Sequence, residues 1–126
     1  MVAYNFKKQF AEKVRDGSKC QTVRGQRDRH ANPGEAVQLY TGMRTKQCDK
    51  LIPDSICTSV SKVVINNNLV MIDGWILWGS NLEKFAIADG FANYADFLAF
   101  FKEVHRLPFE GVLIKWESQL IPRLFG

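Results

Sequence analysis

Histidine is scarce in this 126-residue chain: His30 and His105 are the only two. There are three cysteines, Cys20, Cys48 and Cys57. Cys48 and Cys57 lack the paired spacing of metal ligands, so the sequence argues against a zinc site. No glycine-rich phosphate loop and no Ser-His-Asp order is present, and no cofactor is expected. An odd cysteine count speaks against a disulfide framework and fits a reducing compartment. No apolar run reaches the length needed to cross a membrane. The start of the chain, Met1-Val2-Ala3-Tyr4-Asn5-Phe6-Lys7-Lys8, lacks the basic-then-apolar order of a signal peptide. A cytoplasmic chain with no membrane contact is the expectation. Internal repeats, a dividing linker and a βαβ rhythm are all absent, so residues 1–126 read as one domain with a loosely held tail from about residue 118.

What is present is a core and an uneven charge. Apolar residues make up 46% of the chain and aromatics 12%, enough for one real core. The net charge of +4 is concentrated. Residues 1–50 carry 11 Lys/Arg against 5 Asp/Glu, while residues 51–126 carry 6 against 8. A basic half on a small domain points to an anionic partner, nucleic acid being the commonest, or simply to a solvated face.

Periodicity supplies the elements. Val2 to Phe6 reads as a first strand. Phe6, Phe10, Ala11 and Val14 recur at helical steps, so Lys7 to Asp16 reads as a helix stopped by Gly17. Strands are expected at about Cys20 to Arg24, Ala36 to Thr41 and within Ile56 to Ile65. The Asn66-Asn67-Asn68 turn should fold Leu69 to Ile72 back as a hairpin. Leu82 to Ala88 and Tyr94 to His105 read as helices, the second capped by Asn93. Gly111 to Glu117 closes the chain as a strand. Trp75-Ile76-Leu77-Trp78 fits a strand or a packed loop. Trp75, Trp78, Phe100 and Phe101 read as core or helix packing rather than a stacking platform. The sum is an α+β fold: a small mixed β-barrel of about six strands flanked by two or three helices.

The stretch Gly17-Ser18-Lys19-Cys20-Gln21-Thr22-Val23-Arg24 stands out. On a strand, Thr22 and Arg24 share one face and Val23 takes the other, with Lys19 near the turn leaning over the polar side. A cation, a hydroxyl and a guanidinium on one face are costly unless solvent or a ligand satisfies them.

Several segments together resemble the ASCH domain, a small β-barrel related to the PUA RNA-binding domain. They are Phe10-Ala11 with Val14, Gly17-x-Lys19-x-x-Thr22-x-Arg24, Pro33-Gly34-Glu35, Leu39-Tyr40-Thr41-Gly42-Met43-Arg44-Thr45 and Cys48. The later half adds Phe85-Ala86-x-x-Asp89-Gly90-Phe91, Phe97 and Pro108-Phe109-x-Gly111-x-Leu113-Ile114-x-Trp116. The likeness spans about Phe6 to Trp116. It implies recognition of RNA or a modified nucleoside in a cleft between barrel and helices. Some members of that family are amidohydrolases acting on N4-acetylcytidine, and others have been described as ribonucleases. Carried over from the amidohydrolases, the catalytic trio would be Lys19, Thr22 and Asp89, with Asp89 standing where those enzymes have Glu.

Each residue has a functional and a plainer reading. Lys19 fits a surface cation, or a general base whose charge burial disfavours. Thr22 suits a strand without function, or serves as nucleophile or water holder. Arg24 has the planar fork that binds phosphate or a base edge. Asp89 before Gly90 fits a helix end, or an acid/base group that also accepts from a cytosine amine. Tyr40 and Arg44 suit a stacked base and a phosphate, although Tyr40 equally suits barrel packing. Arg27, Arg29, Lys46 and Lys50 read as peripheral phosphate contacts or a solvated face. Binding of RNA or a nucleoside ranks first, amide hydrolysis second and RNA cleavage third.

Overall fold

Val2, Tyr4 and Phe6 are buried while Asn5 between them is exposed, the alternation of a strand with one face on a core. In the computed structural model, which describes residues 1–67 and 69–118, this is β1, Val2–Phe6. The expected tail lies beyond those residues, as does Asn68 of the turn. Helix α1, Lys8–Asp16, buries Phe10, Ala11 and Val14 and ends at Gly17, whose φ of 84° few side chains tolerate. Then follow β2 Gln21–Arg24, β3 Ala36–Thr41, β4 Asp49–Lys50 and β5 Ser55–Ile65. Next come β6 Val70–Ile72, β7 Trp75–Leu77 and α2 Ser80–Ala88. The chain continues through α3, Tyr94–Val104, to β8, Phe109–Ser118. Asn93 caps α3 as expected, accepting a hydrogen bond from the Asp96 amide at 2.8 Å.

The long strand β5 organises the sheet. One edge pairs with β8 along its whole length, from Ser55 opposite Ser118 to Ile65 opposite Phe109, with a register shift between Cys57 and Ser59. Its other edge is shared by β3, at Ser55 and Ile56, and by β6, at Val63 to Ile65. Beyond β8 lies β2, and beyond β3 lies β1. Among the described residues only β1 and β3 run parallel, so the sheet is mixed. The class is therefore α+β, with three helices and eight strands among the described residues. The two additional strands are β4, a two-residue pairing created by its register with β3, and β7. The sheet is not closed into a barrel: among the described residues no ladder joins β1 to β2.

Trp75 and Trp78 correct the packing expectation, being 79% and 76% exposed. Strand β7 pairs with the three-residue β6, and among the described residues no ladder carries the sheet beyond it. Phe101 is core as expected, whereas Phe100 is only partly buried. Among the described residues no helix is long and apolar enough to cross a membrane.

Candidate functional site

The turn after α1 aims Lys19 inward. Its backbone N–H donates to Lys13 O at 2.9 Å, folding the chain back over the helix end. The side chain is then buried, 4% exposed, between the rings of Phe10 and Phe6, with Nζ 5.0 and 5.7 Å from their centroids. Lys19 Nζ donates to the backbone oxygen of Asp89 at 2.5 Å and lies 3.5 Å from Asp89 Oδ1. Asp89 caps the C-terminus of α2 and is equally buried. Gly90 follows at φ 99°, and a Cβ there would come within 2.9 Å of Lys19 Cδ and of Phe10. Glycine is what lets the chain cross the lysine stem this closely.

On β2 the expected face is real. Arg24 Nε donates to Thr22 Oγ1 at 2.9 Å. Arg24 Nη2 donates to Asn5 O at 2.8 Å, and its guanidinium lies 4.8 Å from the Phe6 centroid. The gap between β1 and β2 is thus spanned by side chains. Arg27 adds a second span, Nη2 to Ala3 O at 3.3 Å, and stacks over Tyr4 at 4.5 Å.

A cavity of about 210 Å³ opens beside these groups. Lys19, Thr22, Arg24 and Asp89 line it together with Phe91 and Phe100. Phe10, Phe91 and Phe100 form a triangle of edge-on rings with centroids 5.2, 5.3 and 5.8 Å apart. All three residues expected to do chemistry therefore reach one cavity, and so does Arg24.

The other expected binding residues lie elsewhere. Tyr40 sits half-buried near the end of β3, opposite Asn5 of β1 and Lys50 of β4. Arg44 and Lys46 are exposed on the turn from Gly42 to Cys48. That turn is tied to the site by Asn5, whose Oδ1 accepts from the Met43 amide at 2.9 Å. Arg29 is exposed and ion-paired to Glu35. Sequence reasoning missed two residues. Asn5 is a lone polar residue in an otherwise apolar strand, a usable signal. Gln21, buried and donating to Asp89 Oδ1 at 3.3 Å, stands at an open position of the Gly17-x-Lys19-x-x-Thr22-x-Arg24 pattern.

Burial disfavours charge on both members of the central pair. It pushes the Lys19 pKa down, with Asp89 pulling it partly back up. It pushes the Asp89 carboxyl up, with Lys19 and Gln21 opposing. Burial, then Arg27, lowers Arg24 from its usual value to about 10, so it remains a cation at neutral pH. The site can thus hold an anion or a base edge at Arg24 and exchange a proton at Lys19 and Asp89. Among the described residues no three His, Cys, Asp or Glu side chains gather as metal ligands would.

Behind the arginines, Tyr4 and His30 form a fixed relay. His30 Nε2–H donates to Gly25 O at 2.9 Å, while the Tyr4 hydroxyl accepts from the Ala31 amide at 3.0 Å and donates to His30 Nδ1 at 3.1 Å. Burial holds the His30 pKa below its usual 6.5, against the pull of the Gly25 carbonyl. As pH falls from about 6.5, the unfolded chain binds this proton before the folded one. The stability contributed here is full above about pH 6.5 and is lost as pH drops toward the folded value. A proton NMR titration of His30 is expected to give a midpoint below 6.5, and one at or above it contradicts the relay.

Compared with family models, with curated proteins and with solved structures, the chain finds no significant match.

Proposed function

We propose that this chain binds RNA or a modified nucleoside in the cavity at Lys19, Thr22, Arg24 and Asp89, as an ASCH-type protein whose open sheet corresponds to the PUA-like barrel. One observation carries the reading: Lys19, Thr22 and Arg24 of one short stretch share a cavity and its aromatic wall with Asp89, which is distant in sequence. Its volume of about 210 Å³ suits a single ring, being smaller than the roughly 300–1,000 Å³ of sites for larger ligands. Phe91 and Phe100 offer a base apolar contact. Arg24 faces a phosphate or a base edge, and Asp89 accepts from an exocyclic amine. Arg44 and Lys46, on the turn anchored by Asn5, extend the cationic surface to a longer strand. The three free cysteines suit work in the cytoplasm.

The test is titration of labelled RNA, cytidine and N4-acetylcytidine at two salt concentrations. RNA is expected to bind at low salt and to weaken as salt rises. Failure of all three probes at low salt would sink the proposal.

A second reading is amide hydrolysis, favoured by a buried lysine of lowered pKa beside a carboxyl of raised pKa. Neutral Lys19 takes a proton from a water or from the Thr22 hydroxyl, and the oxygen attacks the acetyl carbonyl. Protonated Asp89 returns a proton to the departing amine. Incubation with N4-acetylcytidine should then release cytidine, and Lys19→Ala should abolish that release. Fragments of the labelled RNA in the titration samples would instead point to cleavage.

A further inference from the structure

Three buried polar side chains meet where the end of α2 passes β2: Lys19, Gln21 and Asp89. The shortest Lys19 contact is to the main chain, Nζ to Asp89 O at 2.5 Å. The carboxylate itself is approached by two donors, Gln21 Nε2 at 3.3 Å and Lys19 Nζ at 3.5 Å. Both fall on Oδ1, and among the described residues no donor reaches Oδ2. The terminal torsion of an aspartate is broad, so a second donor decides how the carboxylate is turned. An apolar side chain would fill the place of Gln21 without burying an amide, so the amide answers a need for that donor.

We propose that Gln21 is a positioning residue: its amide holds Oδ1 of Asp89 and leaves Oδ2 as the oxygen that meets a ligand in the cavity. The ligand half of this proposal rests on the nucleoside reading above. Gln21 also favours the ionised carboxylate over the acid, opposing burial. Oδ2 is then an acceptor, and the ligand group it recognises is an N–H donor such as an exocyclic amine. The other charges that bear on this carboxylate are Lys19 and Arg24, with Lys13 of α1 acting through Lys19. Lys7 and His105 line the same cavity.

The test uses carbon-13 NMR of the Asp89 carboxyl across pH in the wild type, Gln21→Met and Gln21→Glu, each first checked for the wild-type fold. The midpoint is expected to move upward in Gln21→Met, which lacks the donor. It should move further in Gln21→Glu, which sets a like charge beside Asp89 and keeps the size should the Met variant fail to fold. Cytidine affinity should fall about tenfold in both, the worth of roughly one hydrogen bond to a charged group. A midpoint unmoved in both folded variants overturns the proposal, whatever the cavity binds. If the wild type binds neither nucleoside while the midpoint moves, the nucleoside reading falls, and the moved midpoint supports Gln21 as the residue that orients Asp89.

Discussion

Replacing Asp89 with alanine is expected to cost about 3–5 kcal/mol of stability, the usual result of breaking one side of a buried ion pair. For a chain of this size that lowers Tm by more than about 10 °C. The reason lies in what the substitution leaves behind. Lys19 and Asp89 have side chains only 4% exposed, so water cannot replace the lost carboxylate. The Gln21 amide loses its acceptor in the same stroke. Lys19 keeps its bond to the backbone oxygen of residue 89, which alanine also carries. The cost is therefore electrostatic rather than a collapse of the turn.

That origin gives the loss a pH dependence. Asp89 is what pulls the Lys19 pKa back up against burial. Without it the folded-state value falls further below the usual value of about 10.4. Over that widened window the unfolded chain binds the proton and the folded chain does not, so stability rises with pH. The deficit of Asp89→Ala relative to the wild type should shrink between pH 7 and pH 10 in urea unfolding. The double variant Lys19→Met, Asp89→Leu should recover most of the loss, because an apolar pair of similar volume removes both charges at once. A single variant within about 1 kcal/mol of the wild type would show that Lys19 has another partner.

Much of this arrangement was legible beforehand. The two-residue period of β1 and the stripe of Phe10, Ala11 and Val14 each mark a single buried face, and those faces are buried. The polar alternation at Thr22 and Arg24 survives in the fold as a hydrogen bond. Other features have no local signature. Apolar content marks Trp75 and Trp78 as hydrophobic, but whether a layer covers them depends on how far the hairpin reaches past its neighbours. Gln21 opens β2, and its side chain reaches a residue distant in sequence, so neither period nor spacing reveals it. Reading Tyr94 to His105 as a helix does not show that Phe97 and Phe101 are buried in the core while Phe100 stays only partly buried. Closure of the sheet was also beyond reach, since it depends on the meeting of two distant edges. In the fold Arg24 and Arg27 bridge those edges with side-chain bonds to β1 carbonyls.

Gly111→Ala should be as damaging as the loss of Asp89, by a purely steric route. Gly111 lies in β8 beside β2, where a Cβ would stand 2.2 Å from the backbone oxygen of Arg24 and 2.9 Å from the Phe109 ring. The ring can turn, but the oxygen belongs to the neighbouring strand and yields only if β2 moves. Glycine inside a strand is the usual sign of such an approach. Overpacking ordinarily costs 1–3 kcal/mol, and a clash with paired backbone belongs at the top of that range, about 3 kcal/mol. The displacement would also carry Arg24 away from Thr22 Oγ1 and Asn5 O, so the cavity should lose its cationic wall along with the stability. Gly25→Ala is the control: its nearest neighbour would be Phe109 Cε1 at 3.9 Å, and its cost should stay within about 0.5 kcal/mol. Equal urea midpoints for the two variants would mean that β2 and β8 can separate freely. In that case the polar face of β2 would not be held against the cavity by its pairing with β8, and the Arg24 bridge to Asn5 would have to hold it alone.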